Sequence, residues 1–315
     1  MLRRMEHDQR FKTLLRTFFA DFLQLFFAEW AERFDLSHVE WLDKELLAVP
    51  GQETPHVADM VARVAAKQAV LGGEKEPPWL VLVHIEIESG ERATDIKARM
   101  PRYYHQLRAT YDLPVLPIVV YLRMQLQGIG EDVYVERFWE LEISTFRYLY
   151  VGLAALDGVR YVEGENWLGV ALAALMRFPP ERAAWLGAEA LRRLTTAQVT
   201  PTQRFLLAEC ARAYLDLNEA QKLEYDRMLH SQSFTGVRAM AKSYYEEGIE
   251  KGIEKGRLLD RQESILAILE ERIGEVSPAL RKHIESLSWQ DLSTLLRKLA
   301  KAETLTEAGL GEFEG

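Results

Sequence analysis

Ten consecutive residues, Trp79 to Glu88, constrain the fold of this chain more than any others. The first half, Trp79-Leu80-Val81-Leu82-Val83, is apolar at every position, so both faces of the strand it forms must be covered. That places it at the centre of a sheet. From His84 onward the pattern changes: His84, Glu86 and Glu88 share one face and Ile85 and Ile87 the other. A core strand thus carries chemistry at its far end.

The flanking segments supply neighbours for it. Asp8 to Trp30 places Phe11, Leu14, Leu15, Phe18, Phe22, Leu25 and Phe26 on one helical stripe, with Asp8 as a first-turn acid. Val39 to Val49 reads as a first strand ending at the Pro50-Gly51 turn, after a break near Asp35 to His38. Val57 to Ala65 alternates as a second strand. Thr94 to Tyr111 reads as a helix with Pro101 in an early turn or at a kink. Pro114 to Leu122 is a further apolar strand, and Phe146 to Leu153 another after an irregular connection from Gln125 to Glu142. Strands interleaved with helices in this order predict a mixed α/β layer architecture.

From Asn166 onward the strand patterns vanish. Trp167 to Phe178, Arg182 to Leu194, Thr202 to Leu217 and Ala220 to Leu229 all carry helical patterns separated by Pro or Gly signals. Gly248, Gly252 and Gly256 then recur at every fourth position, nearly in line along a helix. Such a line allows close helix approach, as in helix pairing, or marks a connecting helix of marginal stability. Two short helices follow, Gln262 to Ile273 and Leu292 to Ala302, before an acidic tail. The expected organisation is an α/β domain over 1–155, a helical region over 156–235, the glycine-repeat helix over 236–260, a short helical module over 261–302 and the tail over 303–315.

Composition narrows the partners. A net charge of -9 excludes a protein that coats nucleic acid through a broad positive surface, so any contact with DNA or RNA must be local. The most hydrophobic early segment, Phe18 to Trp30, is interrupted by Asp21, Gln24 and Glu29, which argues against secretion and against membrane spanning. The single cysteine, Cys210, cannot form an internal disulfide and lies in an apolar helical run, as a buried inert thiol does. A reducing compartment, the cytoplasm, is the expected location.

Asp59 on the second strand and Glu86 with Glu88 on the third converge if those strands are neighbours in matching register. Three like charges raise one another's pKa unless a cation intervenes. Hard divalent cations such as Mg²⁺ or Mn²⁺ take carboxylate oxygens, activate water and stabilise charge on a phosphodiester. The plainer alternative stays open on spacing alone: Glu86 and Glu88 as surface acids paired with Arg63 or Arg92.

Six segments in order carry a family resemblance: His7-Asp8-Gln9-Arg10-Phe11-Lys12, Asp43-Lys44-Glu45-Leu46, Ala58-Asp59-Met60-Val61-Ala62-Arg63, Val83-His84-Ile85-Glu86-Ile87-Glu88, Arg99-Met100-Pro101-Arg102-Tyr103-Tyr104 and Pro114-Val115-Leu116-Pro117-Ile118. Over residues 7 to 125 the chain resembles the recombination-promoting nuclease and transposase-like (Rpn) family of the PD-(D/E)xK nuclease superfamily. The glycine-repeat helix and helical tail resemble the ends of its members. The resemblance implies a restriction-endonuclease-like core, a mixed sheet flanked by helices, followed by an all-helical C-terminal region. It also implies Asp59 and Glu86 as metal-binding acids, with the Ile87 carbonyl as a further ligand. Where the superfamily usually has Lys, and this family more often Gln, the chain has Glu88. A lysine there orients water and neutralises charge, whereas a glutamate adds charge. Glu88 is then a third ligand or base, or a cation from elsewhere compensates, or the site is inactive; Lys97, Arg99 and, more weakly, Lys44 are the candidate replacements.

The helix after Glu88 carries Lys97, Arg99, Arg102, His105 and Arg108, the densest positive run in the chain. It reads either as a solvated face or as a set of phosphate contacts, with Lys97, Arg99 and Arg102 the DNA-binding candidates. His84 sits deeper in its strand and is expected to be a hydrogen-bonded core histidine. The leading expectation is a Mg²⁺- or Mn²⁺-dependent DNA endonuclease, with Asp59, Glu86 and Glu88 as catalytic residues and homo-oligomerisation through the C-terminal helical region; a role in recombination is implied by the resemblance alone. The alternative is an inactive descendant that binds DNA or protein.

Overall fold

A computed structural model of the chain describes residues 2–42, 59–67, 79–88, 96–123, 128–231, 234, 236–237, 258–274, 276–299 and 304–310. The chain forms two compact units, Met1–Arg238 and Ala239–Gly315. The first is an α/β unit built on a six-stranded mixed sheet. Its strands are β1 (Phe34–Trp41), β2 (Met60–Ala66), β3 (Trp79–Glu88), β4 (Val115–Tyr121), β5 (Ile129–Phe138) and β6 (Leu141–Gly152), arranged β1-β2-β3-β4-β6-β5. β3 pairs antiparallel with β2 and parallel with β4; β4 pairs parallel with β6, and β5 closes the far edge as an antiparallel hairpin with β6.

β3 is therefore central, as its apolar run requires. Val81, Leu82, Val83 and Ile85 are at most 2% exposed. Each such side chain contributes roughly 1.5–3 kcal/mol by leaving water. On the face carrying Leu82, helix α4 (Ile96–Tyr111) packs through Ile96, Met100, Tyr103 and Leu107. Pro101 lies inside α4, with residues 94–95 outside the described part.

The N-terminal stripe folds as three helices rather than one: α1 (Leu2–Thr17), α2 (Phe19–Phe26) and α3 (Ala28–Ala31). The breaks fall at Phe18 and Phe27, whose backbones leave helical geometry. Both rings stay buried, so the apolar stripe is continuous even though the helix is not. The first strand starts at Phe34, earlier than the sequence pattern suggested, and the expected break at 35–38 lies inside it. There Asp35 accepts hydrogen bonds from the Ser37 backbone and hydroxyl, and the pairing with β2 slips between Asp35 and Glu40. Residues 43–49 of the expected first strand lie outside the described residues.

After β6 come α5 (Gly158–Val162), α6 (Trp167–Leu172), α7 (Ala183–Leu194), α8 (Pro201–Ala213) and α9 (Glu219–His230). Capping boxes start α8 (Thr200 with Gln203) and α9 (Asn218 with Gln221), each satisfying two backbone donors. α8 packs against α1 and α6 against α2, so these helices belong to the same unit as the sheet. Cys210 is buried among them, and burial pushes its thiol up to about 12.

The second unit is helical: α10 (258–273), α11 (Pro278–Ser286), α12 (Trp289–Leu299) and α13 (Leu305–Ala308). Ile265, Leu269, Leu280, Ile284, Leu292 and Leu299 are fully buried and form its own core. The glycine repeat at 247–256 lies outside the described residues. Among the described residues no helix is long and apolar enough to cross a membrane.

Candidate active site

Antiparallel pairing of β2 and β3 ends with Met60 opposite Ile85, and one position further on the chain brings Asp59 to Glu86. The two are tied by the backbone rather than only by proximity. The Asp59 N–H donates to Glu86 Oε1 at 2.8 Å, and the Ile87 N–H donates to Asp59 Oδ2 at 2.9 Å. The expected convergence of these two acids is present.

Glu86 is 4% exposed and His84 fully buried. His84 Nε2 lies 3.0 Å from Glu86 Oε1, so that oxygen meets two fixed groups. His84 is thus the hydrogen-bonded core histidine anticipated from its depth in the strand. Its Nδ1 is buried without a hydrogen-bond partner among the described residues, and its ring meets the Tyr103 ring edge-on at 5.4 Å. Glu86 Oε2 makes no hydrogen bond among the described residues. Among the described residues, this deeply buried carboxylate is held through one oxygen.

A residue not anticipated by sequence spacing completes the site. Lys12 reaches from α1 and sets its ammonium 2.6 Å from Asp59 Oδ1, with Lys12 itself only 8% exposed. Four residues on, Arg16 stacks over Trp41 of β1 at 5.3 Å, so positions 12 and 16 form the face of α1 turned to the sheet. Nothing in the spacing of Lys12 marks it; the only signal was its place inside the Asp8-to-Lys12 motif.

Glu88 faces a different cation. Arg99 Nη2 of α4 lies 3.3 Å from Glu88 Oε2, and its positive charge opposes the rise of the neighbouring Tyr103 hydroxyl. Burial first, then the negative charge of Glu86, pushes the Tyr103 hydroxyl up to about 12. Of the proposed lysine replacements, Arg99 therefore serves Glu88, and Lys97 points elsewhere, 2.8 Å from Asp132 of β5. Asp132 also accepts from the Tyr148 hydroxyl at 2.7 Å. Burial pushes its carboxyl up, but the bonds from Lys97, Tyr148 and the Val133 N–H outweigh that and hold it below the usual range. Tyr148 and Tyr121 are both raised, chiefly by burial. Arg102 is exposed on α4. Lys44 and Arg92 lie outside the described residues, and Arg63 pairs with Glu40 instead of with the β3 acids.

Among the described residues no three His, Cys, Asp or Glu side chains form a metal-ligating group. Asp59 and Glu86 meet, while Glu88 is engaged by Arg99. Two carboxylates still suit Mg²⁺, which commonly uses one or two and keeps its waters. In donor chemistry the pair fits such an ion. Comparison with family models, with curated proteins and with solved structures returned no match.

Proposed function

We propose that this chain is a metal-dependent endonuclease of the PD-(D/E)xK type acting on DNA, with Asp59 and Glu86 holding Mg²⁺ or Mn²⁺. The observation that carries this reading is the Glu86 carboxylate, buried at the end of the central strand, fixed through Oε1 by His84 and the Asp59 N–H and set directly beside the Asp59 carboxylate that the Ile87 N–H holds. The bound ion would activate a water and stabilise charge on the phosphodiester. The protein's own contribution is positional. The Ile87 N–H orients Asp59, the backbone of Asp59 orients Glu86, and neither carboxylate needs to reorganise when a ligand arrives. Glu88 keeps Arg99 beside the site, and exposed Arg102 offers a phosphate contact that positions a duplex without reading it; Lys97, at the start of α4, would first have to leave Asp132.

A second reading is favoured by one observation: Lys12 supplies Asp59 with a cation from within the chain. On that reading the chain is an inactive descendant of such nucleases that binds DNA or protein. Supercoiled plasmid incubated with Mg²⁺ or Mn²⁺ separates the two. Cutting that requires metal and is lost in both Asp59→Ala and Glu86→Ala supports the nuclease; cutting no greater than in those variants supports the inactive descendant. Association of copies through the C-terminal helices, where Leu259 and Ile273 are exposed, is tested by sedimentation of the full chain.

A further inference from the structure

We propose that Lys12 is an internal cation that competes with divalent metal for Asp59, so that a residue of the first helix sets the metal affinity of the site. This rests on the metal-site reading above. Asp59 Oδ2 is occupied by the Ile87 N–H, which leaves Oδ1 as the oxygen to offer a metal, and Oδ1 is the atom that Lys12 holds at 2.6 Å. A Mg²⁺ ion bound at about 2.1 Å from the same oxygen would lie within about 5 Å of the ammonium nitrogen, the sum of the two distances. Two cations that close, beside side chains only 10% and 20% exposed, repel strongly.

The charges around the site point the same way. Among the described ion-paired and acidic side chains of the site, Asp59, Glu86 and Glu88 give -3, and Lys12 with Arg99 gives +2, leaving -1. A divalent ion added beside Lys12 brings the site to +1, whereas an ion that displaces the ammonium brings it close to neutral. Arg99 cannot be the group displaced, because it is engaged with Glu88. Lysine is suited to the role: a compact charge on a flexible four-carbon stem that can swing from a helix without moving the backbone. The site is then thresholded, remaining self-neutralised until metal is plentiful enough to expel its own cation.

The test is a calorimetric titration of the full chain with Mn²⁺, comparing wild type, Lys12→Met and Asp59→Ala. Lys12→Met is expected to bind at least tenfold more tightly than wild type, and Asp59→Ala to lose the site. Equal or weaker binding by Lys12→Met, with wild type still binding, overturns the competition and leaves the metal-site reading standing. If neither wild type nor Lys12→Met binds Mn²⁺, the metal-site reading itself falls and this inference with it. Should Lys12→Met fail to fold, amine acetylation of wild type read by mass spectrometry decides. Lys12 labelling should rise severalfold at saturating Mn²⁺ relative to exposed Lys222, and unchanged labelling overturns the proposal.

Discussion

Neutralising either partner of the Lys12–Asp59 pair should cost far more than neutralising both. Their side chains are 10% and 20% exposed, so each charge is largely removed from water and loses its close opposite charge when the other is neutralised. Removing one partner of a buried pair typically costs 3–5 kcal/mol. The residual solvent contact here argues for the lower end, about 3 kcal/mol each for Lys12→Met and Asp59→Asn. The double variant removes both charges of the pair and should cost only about 2 kcal/mol, through lost hydrogen bonds to Asp59 and poorer packing. The coupling is then roughly 4 kcal/mol, well beyond the few tenths expected of independent sites. Urea unfolding in the presence of a chelator measures it. In a Trp289→Phe background, six of the seven tryptophans remain and all lie within residues 1–238, so fluorescence follows the unit that holds the pair. Additivity within 0.5 kcal/mol would refute the claim that Lys12 and Asp59 are energetically joined.

Leu82→Ala, at a fully buried position of β3, should cost about 2–5 kcal/mol by leaving a cavity in the central strand; a loss under 1 kcal/mol would mean that the sheet collapses around it without penalty. Trp139 has φ of 53° at the tip of the β5–β6 hairpin and is 82% exposed, its ring meeting the exposed Phe138 ring at 5.0 Å, so Trp139→Gly should relieve backbone strain at little cost in packing and shift the urea midpoint upward, by up to about 1 kcal/mol in stability. The raised Tyr103 predicts alkaline instability with a definite sign: the folded state keeps this proton after the unfolded chain has released it. Stability contributed by Tyr103 is thus complete below pH 10 and is lost as pH rises from 10 towards 12, and the Tyr103→Phe variant should show a shallower decline over that window in denaturation measured at successive pH values.

What could be read from the residues depended on whether the signal was local. The run from Trp79 to Glu88 is local: continuous apolarity announces two covered faces, and the switch at His84 announces a polar end. Both features appear where the pattern put them. Strand β5 was not legible, because most of it is half-exposed on both faces and its apolar Val133 and Val135 are diluted by Glu131, Asp132 and Glu136. Its hairpin turns at Trp139 and Glu140, residues that carry none of the usual turn chemistry. Lys12 was illegible for a different reason. Its partner comes from another element, and no periodicity along α1 distinguishes a lysine turned to the sheet from one turned to water. Likewise Lys97 and Arg99 are near neighbours in sequence but face different acids, because a helix rotates by about 200° over two residues.

Helix α1 has two working faces. One sends Lys12 to the carboxylates and Arg16 to Trp41; the other sets Phe11 edge-on to Tyr214 and lines, with Arg10, Leu14 and Cys210, a cavity of about 140 Å³ against α8. α8 is the wall against which α1 leans. A fragment ending just after β6 would keep the Asp59, Glu86 and Glu88 codons and strip the apolar flank of α1 to water. Trimming the gene to its motif-bearing half would then unseat the lysine before it altered a single acid.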